Sequence, residues 1–130
     1  MASCGSRRQG IIEIQISPGV EDEVSPQLLE FVKEVIGKES LSHWDVDIWA
    51  CRREGLCNDD DLVICLGLCE TEMKTKLLFL HEVAHALRCF IDWDDSYWHR
   101  DGWGKEYSRL CREHLGMVGD EYEKWDKLFV

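Results

Sequence analysis

The sequence predicts an α+β fold: a small twisted sheet packed on one buried helix, with additional helices beside it. Three observations lead there. GIIEIQIS (10–17) and WDVDIWAC (44–51) alternate apolar and polar residues at the strand period. LVICLGL (62–68) is a short, nearly continuous apolar run bounded by turn residues, which reads as a third strand. Between and after these segments apolar residues recur at helical spacing, most strongly from about Glu72 to Phe90, a stretch without Gly or Pro.

In chain order, the first strand is ended by Pro18-Gly19. Ser25-Pro26 is a helix start, an N-cap followed by Pro in the first turn. Leu28, Leu29, Val32, Val35 and Ile36 then mark the apolar face, and Gly37 is expected to end the helix. In 44–51, Trp44, Val46, Ile48 and Ala50 fall on one side and Asp45, Asp47 and Trp49 on the other, the pattern of a half-buried strand. Asn58-Asp59-Asp60-Asp61 is a turn; it lacks the ligand spacing and terminal Glu of an EF-hand. Thr71 can cap the long helix. Asp92 to Tyr97 is expected to be an acidic loop, and a helix to run from about Gly104 to Leu115, stopped by Gly116. A last helix is expected from Asp120, with Glu123 completing a capping box. No repeat, low-complexity run or linker divides the chain, so residues 1–130 are expected to form one domain, with 1–9 a flexible N-terminus.

Composition narrows the function classes. The 130 residues are 45% hydrophobic and 32% charged, ordinary for a soluble globular protein, and six Trp argue for a folded body. The net charge of −11 and the short basic clusters, Arg7-Arg8 and Arg52-Arg53, speak against a nucleic-acid footprint. The apolar stretch Leu77–Leu80 is far too short to cross a bilayer, so no membrane partner is expected. MASCGSRRQG has no apolar segment of the secretory kind, which makes a cytoplasmic or nuclear location the expectation. Seven Cys, an odd number, agree with reduced thiols. Cys51, Cys57, Cys65 and Cys69 have the ligand count of a structural zinc site but not its usual C-x₂-C spacing, so buried small hydrophobes are the plainer reading.

The residues that carry chemistry are His81-Glu82-Val83-Ala84-His85, an H-E-x-x-H pattern inside the long helix. Residues i and i+4 rise about 6 Å on one helix face, so two imidazoles can converge on one zinc ion. Glu82 is rotated off that line and can take a proton from the zinc-bound water, then return it to a leaving amine. Shuffling would produce the pattern in about one chain in fifty, so its setting matters more than its occurrence. The setting is apolar, where His-Glu-His is costly to bury without a shared partner. A catalytic zinc needs a third protein ligand and one open position. The metzincin continuation is absent, since Leu87, Arg88, Cys89, Phe90 and Ile91 follow, and no thermolysin-type N-E-x-x-S-D segment occurs downstream.

The segment from LVICLGL through HEVAH to His99, Trp103, Lys105-Glu106-Tyr107, Leu110 and Leu115-Gly116 resembles the SprT-like (Spartan-type) zinc metalloproteases of the zincin group. The likeness covers residues 61–116, nearly half the chain. It implies a zincin-like fold, a zinc-dependent endopeptidase acting on protein or peptide, Glu82 as catalytic base and then acid, and His81, His85 and His99 as ligands of a single Zn2+. It also implies substrate bound as an added strand along LVICLGL. Arg100-Asp101 stand where the family has Gly after the third His, DGWG looks like a small insertion, and the family's frequent zinc ribbon is missing. DNA-related roles are therefore not expected to transfer.

Glu106 is the competing third ligand, giving a His-His-Glu site. His114 is expected to be a surface residue favoured by the helix C-terminus, and His43 to have no role. Tyr97 and Tyr107 are both candidates to stabilise an oxyanion. Asp92, Asp94 and Asp95 either rim the cleft for basic substrates or decorate a surface loop. Two further functions stay open: a catalytically inactive zinc-stabilised interaction domain, and a metal-free interaction domain in which HEVAH is accidental.

Overall fold

The computed structural model describes residues 13–52 and 54–117. The expected flexible N-terminus and the expected helix from Asp120 lie outside the described residues. Four strands, β1 (Ile14–Ile16), β2 (Asp45–Arg52), β3 (Gly55–Asn58) and β4 (Val63–Leu68), form one sheet in the order β1-β2-β4-β3. The helices are α1 (Pro26–Lys38), α2 (Glu72–Arg88), α3 (Trp93–Tyr97) and α4 (Asp101–Leu115), with a single 3-10 turn at Glu21–Glu23. The architecture is α+β, with β1, β2 and β4 parallel and β3 antiparallel to β4.

β1 leads through α1 into β2, and Val46 and Ile48 pair with Ile14 and Ile16 on the same sheet face. On that face Val46, Ile48, Ile64 and Leu66 are fully buried, and Ile14 and Ile16 on the edge strand are half-buried. The alternation expected through Ala50 fails at its end, because a register break lies between Trp49 and Arg52 and leaves Ala50 exposed. Ser25 Oγ accepts from Leu28 N at 3.0 Å and starts α1 as expected. Gly37 does not stop it. The helix continues to Lys38, and Ser40 takes the left-handed conformation (φ 58°) that ends it, with Leu41 N donating back to Ile36 O at 2.9 Å.

β3 has no counterpart in the sequence expectations, since four residues, one of them Gly, carry no alternation. It changes the place of β4. LVICLGL is not the sheet edge but lies between β2 and β3, hydrogen-bonded on both sides. A strand enclosed by two neighbours has no solvent edge, in keeping with its nearly continuous apolar sequence. The edge on this side of the sheet is β3, joined to β4 by a turn in which the Asn58 side chain accepts from Asp60 N and Asp61 N.

Thr71 Oγ1 caps α2 by accepting from Lys74 N at 3.1 Å. The helix lies in the core with Leu77, Leu78, Phe79, Leu80 and Val83 almost wholly buried. Phe31 of α1 meets Phe79 edge to face at 6.3 Å. α4 packs on the other flank of α2 through Trp103, Tyr107 and Leu110. The expected acidic loop is instead the short helix α3. Asp101–Gly104, expected to be an insertion, is the first turn of α4. No helix among the described residues is long and apolar enough to cross a membrane.

Candidate metal centre

His81 and His85 occupy successive turns of α2, while His99 stands in the connection between α3 and α4. One ring nitrogen from each lies within 4.8 Å of the others. His85 Nε2 and His99 Nε2 are 3.0 Å apart. Two nitrogens at tetrahedral angles on one zinc, each about 2.05 Å from it, would be about 3.3 Å apart. His85 and His99 therefore need to part by only a few tenths of an ångström to admit an ion, and the donor set of three imidazoles suits one. His85 is further fixed through Nδ1, which meets Ser96 Oγ at 2.9 Å. A hydrogen bond to the second ring nitrogen sets the tautomer and directs Nε2 inward.

His99 is held in the left-handed region at φ 53°, and its N–H donates to Ser96 O at 3.1 Å. A non-glycine residue there carries strain of order 1–2 kcal/mol. His99 therefore precedes α4, which begins at Asp101 and not at about Gly104 as expected. The turn is organised by Asp95, whose carboxylate accepts from Gly102 N at 3.1 Å and Trp103 N at 2.7 Å at the start of α4. Ser96 and Asp95 thus orient two ligands without touching the ion site. Neither stands out in the sequence: a Ser and an Asp in an acidic stretch give no period and no motif. The remaining acids are also occupied locally, Asp92 capping α3 and Asp94 pairing with Arg100 at 3.6 Å. That favours the surface reading of this stretch.

Beneath the triad lies Trp103, 1% exposed, with ring centroids 4.8, 5.3 and 4.5 Å from His81, His85 and His99. Tyr107 stacks on Trp103 at 5.1 Å and donates its hydroxyl to Leu77 O at 3.3 Å. Its full burial removes it as an oxyanion candidate facing the cleft; of the two tyrosines, Tyr97 lines the opening.

Glu82 is 5% exposed, and its Oε2 lies 3.8 Å from His81 Nε2. β3 covers it. A Cβ at Gly55 would fall 2.7 Å from Glu82 Oε2 and 3.0 Å from its Cγ, so the edge strand approaches this carboxylate closely only because residue 55 has no side chain. The opening above the site is a cleft of about 400 Å³ between β3 and α3, floored by His81, Glu82, His85 and His99.

The competing ligands fall elsewhere. Glu106 is absent from the metal cluster and accepts from Arg109 Nε at 2.7 Å, because its side of α4 faces away from α2. His114 is not a surface residue: its side chain is 2% exposed and its Nε2 lies 2.8 Å from Glu39 Oε2, since Glu39 at the end of α1 reaches across to it. His43 is exposed and lies edge-on to Trp44, as expected of a residue without a role. The four-cysteine alternative also fails among the described residues. Cys57 pairs with Ile64 and Leu56 with Cys65, so the side chains of Cys57 and Cys65 point to opposite sheet faces and cannot share an ion. Burial, then the neighbouring Cys89 and Glu82, push the Cys57 thiol well above its usual range. Cys51's side chain lies outside the described residues.

In comparisons with known proteins, no family model matched the chain, and neither a curated protein nor a solved structure matched it significantly.

Proposed function

We propose that this chain is a zinc-dependent endopeptidase of the SprT-like, zincin type, hydrolysing peptide bonds in protein or peptide substrates. His81, His85 and His99 hold one Zn2+, and Glu82 is the general base and then acid. The observation that carries this reading is the convergence of three ring nitrogens within 4.8 Å beside a buried carboxylate, at the floor of an open cleft. A site built only for structure has no use for that carboxylate or for an open side.

A zinc ion bound there supplies a Lewis acid for the scissile carbonyl and lowers the pKa of its water to about 7. Glu82 removes the proton of the attacking water and delivers it to the departing amine nitrogen. Ser96 holds the His85 ring so that Nε2 faces the other two imidazoles, and the rings of Trp103 and Tyr107 exclude water from beneath the ligands. Five described cysteines are free thiols, which supports a reducing compartment, cytoplasmic or nuclear.

Metal analysis together with Glu82→Gln tests the reading. One zinc per chain is expected in both proteins, with peptidase activity falling about 10²–10⁴-fold in the variant and the far-UV circular dichroism unchanged. A zinc-loaded, folded wild type that cleaves no protein or peptide substrate would leave an interaction domain stabilised by zinc.

A further inference from the structure

Five large apolar side chains follow the metal helix within nine residues, and all are exposed: Phe90, Ile91, Trp93, Tyr97 and Trp98. Isolated exposed apolar residues are ordinary, but such a run beside a cleft marks a surface that something else covers. Trp93 and Tyr97, one helical turn apart on α3, stack at 4.8 Å with their planes 15° apart, and Trp98 meets Tyr97 edge-on at 4.9 Å. Trp93 and Tyr97, each 54% exposed, form one wall of the 400 Å³ cleft; Gly55 and Cys57 of β3 form the opposite wall, and Cys89 closes the end. Nothing in the packing of the core requires these two rings to stand where they do.

We propose that this cleft selects an extended polypeptide bearing a large apolar side chain, aromatic above all, beside the scissile bond, with that side chain seated between β3 and the Trp93–Tyr97 wall. The assignment rests on the peptidase reading for its scissile bond but not for its ligand. β3 is the edge strand beside the cleft, so its backbone can pair with one more strand while alternate side chains of that strand turn into the cleft. Charge identifies the occupant further. Apart from the imidazoles, the charged groups lining the cleft are Asp59 and Glu82, with no Lys or Arg among the described lining residues, in a chain of net charge −11. With Zn2+ bound, its two positive charges offset Asp59 and Glu82, so selection inside the cleft falls to the apolar wall, while the net charge of −11 over the rest of the chain disfavours nucleic-acid phosphates.

Fluorescent heptapeptides differing only at the central residue (Phe or Gly) test the assignment by anisotropy on the zinc-loaded full chain carrying Glu82→Gln. The Phe peptide is expected to bind about tenfold more tightly than the Gly peptide. Adding Trp93→Ala and Tyr97→Ala is expected to bring Phe and Gly within about twofold while zinc content stays at one per chain. A Phe-to-Gly ratio near one, a ratio untouched by the two replacements, or tighter binding of a single-stranded oligonucleotide than of the Phe peptide overturns the proposal. Selective binding by a chain whose wild type cleaves nothing would remove the peptidase reading alone. Cleavage of Phe and Gly peptides at equal kcat/KM would remove the cleft assignment alone.

Discussion

Gly55 and Glu82 pose the sharpest question at the level of single residues. The Glu82 carboxylate occupies the space that any side chain at residue 55 would need, with 2.7 Å between the missing Cβ and Oε2. Gly55→Ala therefore forces the carboxylate to move by several tenths of an ångström, and misplacement of about 1 Å can cost a hundredfold in rate. The expected result is kcat lower by about 10–100-fold with zinc content unchanged; kcat equal to wild type would mean that Glu82 is not the base in this position. His81, Glu82 and His85 were legible in the sequence because a helix converts a four-residue spacing into a shared face. His99 was reached through resemblance, and its left-handed backbone at φ 53° has no sequence signature. Gly55 and Ser96 were not legible at all, and Asp95 was read as a rim or surface acid and not as the organiser of the turn before α4. Each acts through a contact between elements far apart in sequence or through a turn without a motif, and local periodicity is silent on both.

Elements with strong local signals were placed well from sequence, and those defined by partners were not. The Ser25 and Thr71 caps and the left-handed Gly116 (φ 68°) that ends α4 each follow from one residue's chemistry. β3 exists because β4 offers it a partner, and so the edge was expected one strand too early. The junction of α1 with α4 is a second partner-defined feature. Arg109 donates to Glu39 at 2.7 and 3.2 Å, and His114 Nε2 lies 2.8 Å from the same carboxylate. Burial works to raise the Glu39 carboxyl, but the hydrogen bonds from Arg109 and His114 outweigh it and hold the group below its ordinary value of 4.5. A carboxyl depressed in the folded state adds stability above its unfolded pKa and loses it as pH falls through the folded one. Chemical denaturation midpoints should accordingly be steady above about pH 5 and decline below about 4.5, with a shallower decline in Glu39→Gln. Parallel acid profiles for the two proteins would show that this junction contributes nothing to the acid limb.

For the molecule as a whole, the histidine cluster proposed to hold the ion joins parts of the chain that the apolar core holds less directly. Val46, Ile48, Ile64, Leu66, Leu77 and Leu80 are fully buried around the sheet and α2, and their packing needs no metal. His99, by contrast, lies on a strained connection between α3 and α4, and its ring nitrogen is the link from that connection to His81 and His85. An ion bound only by the folded state stabilises it by RT ln(1 + [L]/Kd), about 4 kcal/mol at a thousandfold excess over Kd. Chelation should then lower Tm by about 15 °C for a domain of this size, while far-UV circular dichroism at 25 °C stays nearly unchanged because the core remains. His99→Ala should start near the chelated Tm and respond little to chelator. Complete unfolding on chelation would make the ion a folding element of the zinc-finger kind. A Tm indifferent to both zinc and chelator would leave the three imidazoles without an ion, and the 3.0 Å approach of His85 Nε2 to His99 Nε2 as an imidazole–imidazole hydrogen bond.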